Sequence, residues 1–407
     1  MKIFVCLFLM LMLAGCGEDS YEKVNFESAN NLSIQEVSEI PELEVYIPNG
    51  CHGWLTEKGM FLEKQYESTT YSILHFFDAE TEEIFPLCPK TNCTHDSESC
   101  GAYVDAENLH FDGEYLYYVS DDGRGSQIMR QRIDGSDREA MFRQEAGENG
   151  LAKIMFARFQ DGMVYYSVFG SVFDSETGKI TSGEKICIGN LETGEVTVIP
   201  VEFGEGNSTT LNLMGVYGNT LAVRRTTGGE EIFGKNNFHE TIFLLDAVTF
   251  EMTVVAEFDW EDKPIFQMIG ENLLYILLDY DPESPVLEHE VWGDVYTDTA
   301  SHLIVNLETK IGYMHKDAVT SFANVTNEFI FYFEWNAERT ECRRMILDLS
   351  TGESRPWPET MASLYNLTRR GGYLYGNDRS KDHVRIRILE EDFWAGIPNF
   401  YVFPDWA

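Results

Sequence analysis

The chain has 407 residues, of which 68 are acidic and 30 are basic, giving a formal net charge of −38 at pH 7. Hydrophobic residues make up 43% of the chain, which is enough to build packed cores and excludes an intrinsically disordered acidic protein. The charge also excludes nucleic acid as a partner, because phosphate binding requires a basic surface.

The N-terminus has the pattern of a bacterial export signal. Lys2 is followed by an apolar run, Ile3–Leu13, that is too short to span a bilayer as a mature helix. The run is followed by Ala14, Gly15 and Cys16, and Leu13-Ala14-Gly15-Cys16 resembles the bacterial lipobox. This resemblance implies cleavage before Cys16 and acylation of its thiol and its new amino group. The alternative is an ordinary secretory signal followed by a chance cysteine.

These features predict a protein that is lipid-anchored to the cell membrane through Cys16 and faces the extracytoplasmic side. No later stretch of sequence is long and apolar enough to span a membrane. Residues 16–42 are polar and acidic without a sustained periodicity, and we interpret them as a solvated tether. The tether would connect a signal peptide, residues 1–15, to a folded domain, residues 43–407.

The folded domain repeats one local pattern. A tight turn rich in Gly, Asp and Asn precedes a short strand of alternating aromatic and aliphatic residues, as in Asp112–Tyr118. Seven copies recur at a mean spacing of about 52 residues, which is the signature of a repeat architecture. The turns of the seven copies are centred near Gly59, Gly113, Gly162, Gly218, Gly270, Asn327 and Gly372.

Each copy continues into a second apolar strand that ends in another polar turn, as in Phe243–Asp246 and Leu303–Asn306. Each repeat therefore contains four short strands, A to D. This pattern predicts an all-β fold, a seven-bladed β-propeller with four antiparallel strands per blade. A pair of β-sandwiches or a β-helix is the structural alternative. The predicted blades lie near residues 51–101, 102–149, 150–205, 206–260, 261–316, 317–358 and 359–407.

The order of the strands distributes the connections between the two faces of the ring. The A–B and C–D turns lie on one face, and the B–C loops and D–A links lie on the other. The B–C loops are longest in blades three to five, so ligand contacts are expected there. Trp292 and Trp260 are the candidate ligand-binding residues, with packing between blades as the alternative role. Either Phe400–Phe403 or Leu43–Ile47 is expected to complete blade seven.

A cysteine-rich segment is the sharpest chemical feature of the sequence. Cys88, Cys93, His95 and Cys100 place three thiols and one imidazole within thirteen residues, a set that can complete a tetrahedral structural zinc site. Cys51 is a further candidate ligand. The alternative is two disulfides among the four cysteines, since export favours oxidation, or unpaired thiols. The segment is predicted to be the D–A link between blades one and two.

This Cys-x4-Cys-x-His-x4-Cys segment resembles one found near the start of many uncharacterised bacterial lipoproteins that have a predicted β-propeller domain. The resemblance covers the lipobox, the cysteine segment and the spacing of the repeats. It implies the architecture and no particular activity.

The function is predicted from the fold class and the anchor. We expect a propeller that acts as a binding module for a glycan, a peptide or a protein. The alternative is an extracytoplasmic enzyme, such as a polysaccharide lyase or hydrolase, with its site in the central funnel. No Gly-x-Ser-x-Gly elbow and no His-Glu-x-x-His motif is present in the sequence, which favours the binding module.

Overall fold

The computed structural model confirms the predicted seven-bladed β-propeller. Seven blades of four antiparallel strands form a ring, and the helices within the described residues are few and short. The structure describes residues 24–25, 30–38, 43–45, 55–56, 58–65, 72–95, 100–104, 107–121, 125–145, 150–173, 180–199, 201–202, 209–228, 238–259, 265–278, 286–289, 293–296, 301–316, 320–325, 328–336, 338, 340–381 and 384–403.

Each blade uses one contiguous stretch of chain, with strand A nearest the axis and strand D at the perimeter. In chain order, A to D, the strands of the first four blades are Leu55–Thr56, Gly59–Gln65, Ser72–Asp78 and Ile84–Pro86; Glu107–Phe111, Tyr115–Asp121, Gly125–Arg132 and Glu139–Glu145; Gly150–Gln160, Met163–Phe173, Ile180–Asn190 and Val196–Val198; Thr209–Tyr217, Thr220–Gly228, Phe238–Asp246 and Met252–Asp259.

The last three blades follow the same plan. Blade five carries an additional hairpin, Val286–His289 with Gly293–Tyr296, in its B–C loop. The strands of blades five to seven are Ile265–Ile269, Leu273–Leu278, Ser301–Asn306 and Ile311–Lys316; Thr320–Val325, Phe329–Trp335, Cys342–Asp348 and Glu353–Pro356; Leu364–Arg370, Tyr373–Asp378, Val384–Leu389 and Phe400–Val402.

Three short helices lie in blade seven and the link that precedes it. Glu359–Met361 and Arg379–Lys381 are 3₁₀ turns, and Glu390–Ala395 is an α-helix that ends at Gly396. Gly396 has a φ of 68°, a left-handed conformation that glycine adopts without a steric penalty. Within the described part of the chain, no helix is long and apolar enough to cross a membrane.

The polar residue at the end of strand C forms the C–D turn. In blade one the Asp78 side chain accepts hydrogen bonds from the backbone N–H groups two and three residues further on, at 2.8 and 3.0 Å. Asn190, Asp246 and Asn306 make the same pair of bonds in blades three, four and five. This local bond explains why Asp or Asn recurs at that position of the repeat.

Blade seven is completed by the C-terminal strand, as one of the two alternatives predicted. Phe400–Val402 pairs with strand C of that blade. Of the other candidate segment, residues 43–45 are described and lie elsewhere: Leu43 is buried between blades five and six, and the Glu44 carbonyl accepts a 2.7 Å hydrogen bond from Asn272 Nδ2. Among the described residues, side-chain packing closes the ring between blades seven and one, and no strand is exchanged between them.

Part of the predicted tether is a strand of the perimeter. Asn30–Asn31 pairs in parallel with strand D of blade four, and Ser33–Val37 pairs in parallel with strand D of blade five. We call Asn30–Val37 the N-terminal clasp. Val24–Asn25 likewise pairs with Val201–Glu202, which follows blade three. The interpretation of residues 16–42 as a solvated tether is therefore wrong over these strands. Backbone hydrogen bonds hold them against the ring although their sequence has only a weak apolar pattern.

Leu32 fastens the clasp to the ring. Its side chain is 8% exposed and packs in the core between blades four and five. Gly312 leaves room for it, because a Cβ at that position would lie 2.8 Å from Leu32 Cδ2. Ile34, two residues further along the same clasp, is 44% exposed.

We expect Leu32→Ala to lower the free energy of unfolding by about 2–3 kcal/mol, since it opens a cavity in a packed core. Ile34→Ala is the matched control and should cost less than about 1 kcal/mol. Urea unfolding followed by circular dichroism measures both. Equal, small effects of the two substitutions would contradict a docked clasp and favour a solvated tether.

Candidate functional site

The cysteine segment is an excursion from the outer strand of blade one. Strand D runs to Pro86, and the Leu87 N–H then donates to the Leu74 carbonyl at 3.0 Å. The chain returns at Ala102, whose carbonyl accepts from the Leu74 N–H at 2.8 Å, and Tyr103–Val104 resumes pairing with strand C of blade one. We call residues 88–101 the cysteine loop. It interrupts strand D, whereas the sequence had suggested the link to blade two.

The cysteine loop brings its four candidate ligands together. One ligand atom from each of Cys88, Cys93, His95 and Cys100 lies within 4.8 Å of every other. His95 Nδ1 is 3.4 Å from Cys100 Sγ. A tetrahedral zinc site with Zn–S bonds of about 2.3 Å has ligand–ligand separations of about 3.8 Å, so small adjustments would bring the four atoms to a common ion. This group can hold a metal ion.

Backbone N–H groups surround two of the sulfur atoms. Burial opposes ionisation of the Cys88 thiol, but hydrogen bonds from the Lys90 and Gly101 N–H groups and contacts with the other thiols lower its pKa. Burial and the neighbouring thiols raise the pKa of Cys100 to about 12, against the Ala102 N–H that donates to its Sγ at 3.4 Å. A metal must therefore displace a proton from Cys100, and N–H···S bonds then support the thiolates.

The cysteine loop also packs against blade two. Cys100 is fully buried in a core with Leu74 of blade one and Tyr118 of blade two. Gln131 Nε2 of blade two donates to the Gly101 carbonyl at 3.3 Å. Gly135 has a φ of 79°, and a Cβ there would lie 2.4 Å from the Leu87 carbonyl oxygen. The four candidate ligands lie at the perimeter between two blades. A metal ion coordinated by four protein side chains has no open position, which is typical of a structural site.

The remaining site residues predicted from sequence lie outside the described residues. These are Cys16, Cys51, Trp260 and Trp292. Among the described cysteines, Cys88, Cys93 and Cys100 form no disulfide. The two-disulfide alternative also needs Cys51, so it stays a prediction.

A second group of charged side chains converges on the axis, at the mouth formed by the A–B turns. Arg158 of blade three, Glu271 of blade five, Glu328 of blade six and Arg370 of blade seven lie at or near those turns. We call them the axial group. The Glu271 carboxylate interacts electrostatically with both Arg158 and Arg370, which belong to blades two places away on either side. Such blades approach one another only at the axis of the ring.

The carboxyl groups of the axial group are held in an environment that favours protonation. Burial raises the pKa of Glu271 to about 7, with Asp161 adding to the rise and Arg158 and Arg370 opposing it. Burial also raises the pKa of Glu328, against the opposing Arg369 and Arg370. Acids perturbed by burial beside specific charges are characteristic of functional sites.

Arg158 is fixed in place by backbone carbonyls. Its Nε donates to the Met214 carbonyl at 3.0 Å, and its Nη1 donates to the Ala157 carbonyl at 2.9 Å. Among the described residues, neither its Nη2 nor the Glu271 carboxylate has a hydrogen-bonding partner. Glu328 is 6% exposed, and its Oε2 is buried without a partner in the described part of the chain.

Sequence reasoning missed the axial group. A charged residue in a hairpin turn is ordinary, and Glu271 or Glu328 alone carries no signal of function. The four residues are separated by up to 212 positions and meet only because the ring closes. The repeat register could have indicated that they occupy equivalent ends of their blades.

Comparisons with known proteins identify no family for the chain. No protein-family profile matches the chain, and no curated protein matches it. Similar solved structures include an oligogalacturonate lyase in complex with manganese, at 12% identity and a TM-score of 0.49 over 83% of this chain and 88% of that one. The β-propeller domain of the Trilobed protease from Pyrococcus furiosus has 11% identity and a TM-score of 0.40, covering 74% and 83%. An uncharacterised protein of Listeria monocytogenes EGD-e has 9% identity and a TM-score of 0.43, covering 92% and 98%.

Proposed function

We propose that the protein is a lipid-anchored, extracytoplasmic propeller that serves as an interaction module. The lipobox-like Leu13-Ala14-Gly15-Cys16 supports the anchor. The observation that supports the interaction module is the position of the four candidate metal ligands of the cysteine loop, which we call the metal-binding group. They lie at the perimeter between two blades and leave the mouths of the ring open to a ligand. A closed ring is a rigid scaffold on which turns and loops can recognise a partner.

The anchor is tested by Cys16→Ser. We expect this variant to leave the membrane fraction almost completely, because the acylated side chain is the only attachment proposed. Cell fractionation with immunoblotting, together with labelling by a fatty-acid analogue, measures the change. Cys6→Ser is the matched control, since Cys6 lies in the segment removed with the signal. Full membrane retention of the Cys16→Ser variant would contradict the anchor.

We infer that the metal-binding group holds a structural Zn²⁺. Three thiolates and an imidazole are the soft and borderline ligands that zinc takes in tetrahedral structural sites. When bound, the ion would supply cross-linking of the cysteine loop and no catalysis, since four protein ligands fill its coordination. His95 and Cys93 would close the loop, and Cys88 and Cys100 would attach it to the two ends of the interrupted strand.

An enzymatic function is a second candidate, and Glu271 is the observation that favours it. A carboxyl group with a pKa of about 7 can exchange a proton near neutral pH, as a general acid does. Incubation of the purified protein with oligosaccharides, followed by chromatography of the products, tests for turnover. Products that form with the parent protein and disappear with Glu271→Gln would support the enzyme. A substrate that the parent protein leaves unchanged would favour the binding module.

A further inference from the structure

We propose that the axial mouth bounded by Arg158, Glu271 and Glu328 is a binding site for a small, neutral, hydroxylated ligand of the saccharide class. The inference rests on the proposed interaction function and specifies the place and the ligand. It assigns recognition to the face of the A–B turns, opposite the B–C loops that sequence analysis favoured.

The first argument is the set of hydrogen-bonding groups that the protein leaves unengaged. Arg158 offers Nη2 as a donor and Glu271 offers carboxylate oxygens as acceptors, whereas the unpartnered Oε2 of Glu328 is buried behind them. A buried polar atom without a partner costs free energy, so native proteins retain few of them. A sugar hydroxyl both donates and accepts, and neighbouring hydroxyls of one ring could satisfy both kinds of group.

The second argument is charge. The axial group has two guanidinium and two carboxyl groups, whose charges balance when both carboxyls are ionised, while the whole chain carries −38. An anionic ligand would be repelled by the overall field of the chain, and by the Glu271 carboxylate when it is ionised. A cationic ligand would meet Arg158 and Arg370 at short range. A neutral ligand avoids both penalties and keeps the directional hydrogen bonds.

The third argument is rigidity. The two carbonyl bonds of Arg158 hold its guanidinium against the inner strands of blades three and four. A backbone N–H of Arg369 bonds the Glu328 carboxylate from blade seven. Preorganised donors and acceptors on strand ends lose little conformational entropy when a ligand binds.

The test is isothermal titration of the mature protein, in a sugar-free detergent, with cellobiose, maltose and lactose as probes. We expect at least one disaccharide to bind and Glu271→Gln to weaken that binding at least tenfold. Glu308→Gln is the matched control, because Glu308 is exposed in the C–D turn of the same blade on the same face. Undiminished binding by Glu271→Gln would overturn the axial site while retaining the interaction module. Absence of binding by the parent protein to all three sugars would overturn the saccharide assignment.

A stability measurement distinguishes a ligand-binding site from a charge network whose role is only to stabilise the fold. The folded-state pKa of Glu271, about 7, is raised above the ordinary glutamate value. The stability linked to this group is therefore full at acid pH and is lost as the pH rises through 7. Glu271→Gln should leave the melting temperature at pH 8 unchanged or raise it, since it removes a buried charge. A clear decrease at pH 8 would indicate a structural network and overturn the proposal.

Discussion

Serine in place of Cys93 is expected to abolish metal binding and to lower the melting temperature by about 6 °C. The cysteine loop joins the two ends of an interrupted strand, and its ligands span thirteen residues. Cross-linking a loop of that size stabilises a protein by about 3 kcal/mol in the chain-entropy description. About 2 °C of melting temperature per kcal/mol is typical of a domain this large.

Cys93 is the informative position because its side chain is only partly buried. Its replacement by serine removes a ligand and little packing, whereas replacement of the buried Cys100 would also disturb the core between blades one and two. Cys342→Ser, on strand C of blade six, is the matched control and should keep the metal.

The measurement is native mass spectrometry of the protein, followed by a denatured mass without reductant and by calorimetry. We expect one zinc in the native protein, its loss on denaturation, and a full count of thiols. A metal-free native mass with a denatured mass four hydrogens light would establish two disulfides instead. It would also mean that Cys51 takes part.

Alanine in place of Arg387 is expected to lower the free energy of unfolding by about 3 kcal/mol. Arg387 lies on strand C of blade seven and is 3% exposed. Its Nη2 is 2.6 Å from Glu82 Oε1 of blade one, and its Nη1 donates to the Ala79 carbonyl at 3.4 Å. Its guanidinium also lies 5.0 Å from the ring centre of Phe77 in blade one. Loss of the side chain leaves a cavity and removes these contacts together.

The position of Arg387 makes the effect large. Every other pair of neighbouring blades is connected by the chain itself, whereas the described residues of blades seven and one meet through side chains. Phe403 and Tyr375 of blade seven pack there against Phe77 and Leu55 of blade one. An opening of the ring would begin at this junction, because no covalent link restrains it.

Arg385→Ala is the control for this prediction. Arg385 is on the same strand, two residues earlier, and is exposed, so its replacement should cost less than about 0.5 kcal/mol. Denaturant unfolding at neutral pH measures both variants. A comparable effect of the two substitutions would show that the junction does not depend on the buried guanidinium.

The seven-bladed fold could be predicted because its signals are local. The turn glycines and the Asp or Asn at the end of strand C act within three residues, as the bonds of Asp78 and Asn190 show. The alternation of apolar residues has the period of a strand and repeats seven times. Repetition made each weak signal reliable.

The details that sequence analysis missed depend on distant pairing. The four candidate metal ligands share one short segment, so their association was visible in the sequence. The placement of that segment within strand D depends on Leu74, whose carbonyl accepts from the Leu87 N–H and whose N–H donates to the Ala102 carbonyl. The N-terminal clasp and the axial group arise in the same way from long-range contacts that leave no periodic pattern.

The pairing of Val24–Asn25 that precedes the N-terminal clasp also limits how far the ring can lie from a lipid anchor. A free tether from residue 16 to residue 42 would let the propeller move roughly 90 Å from the bilayer. With Cys16 as the proposed anchor, Val24 is only eight positions beyond the lipid and is already paired beside blade three. That span reaches about 28 Å at full extension, so the rim of blades three and four would stay close to the headgroups. The ring would stand on its edge, with both mouths opening sideways along the membrane surface.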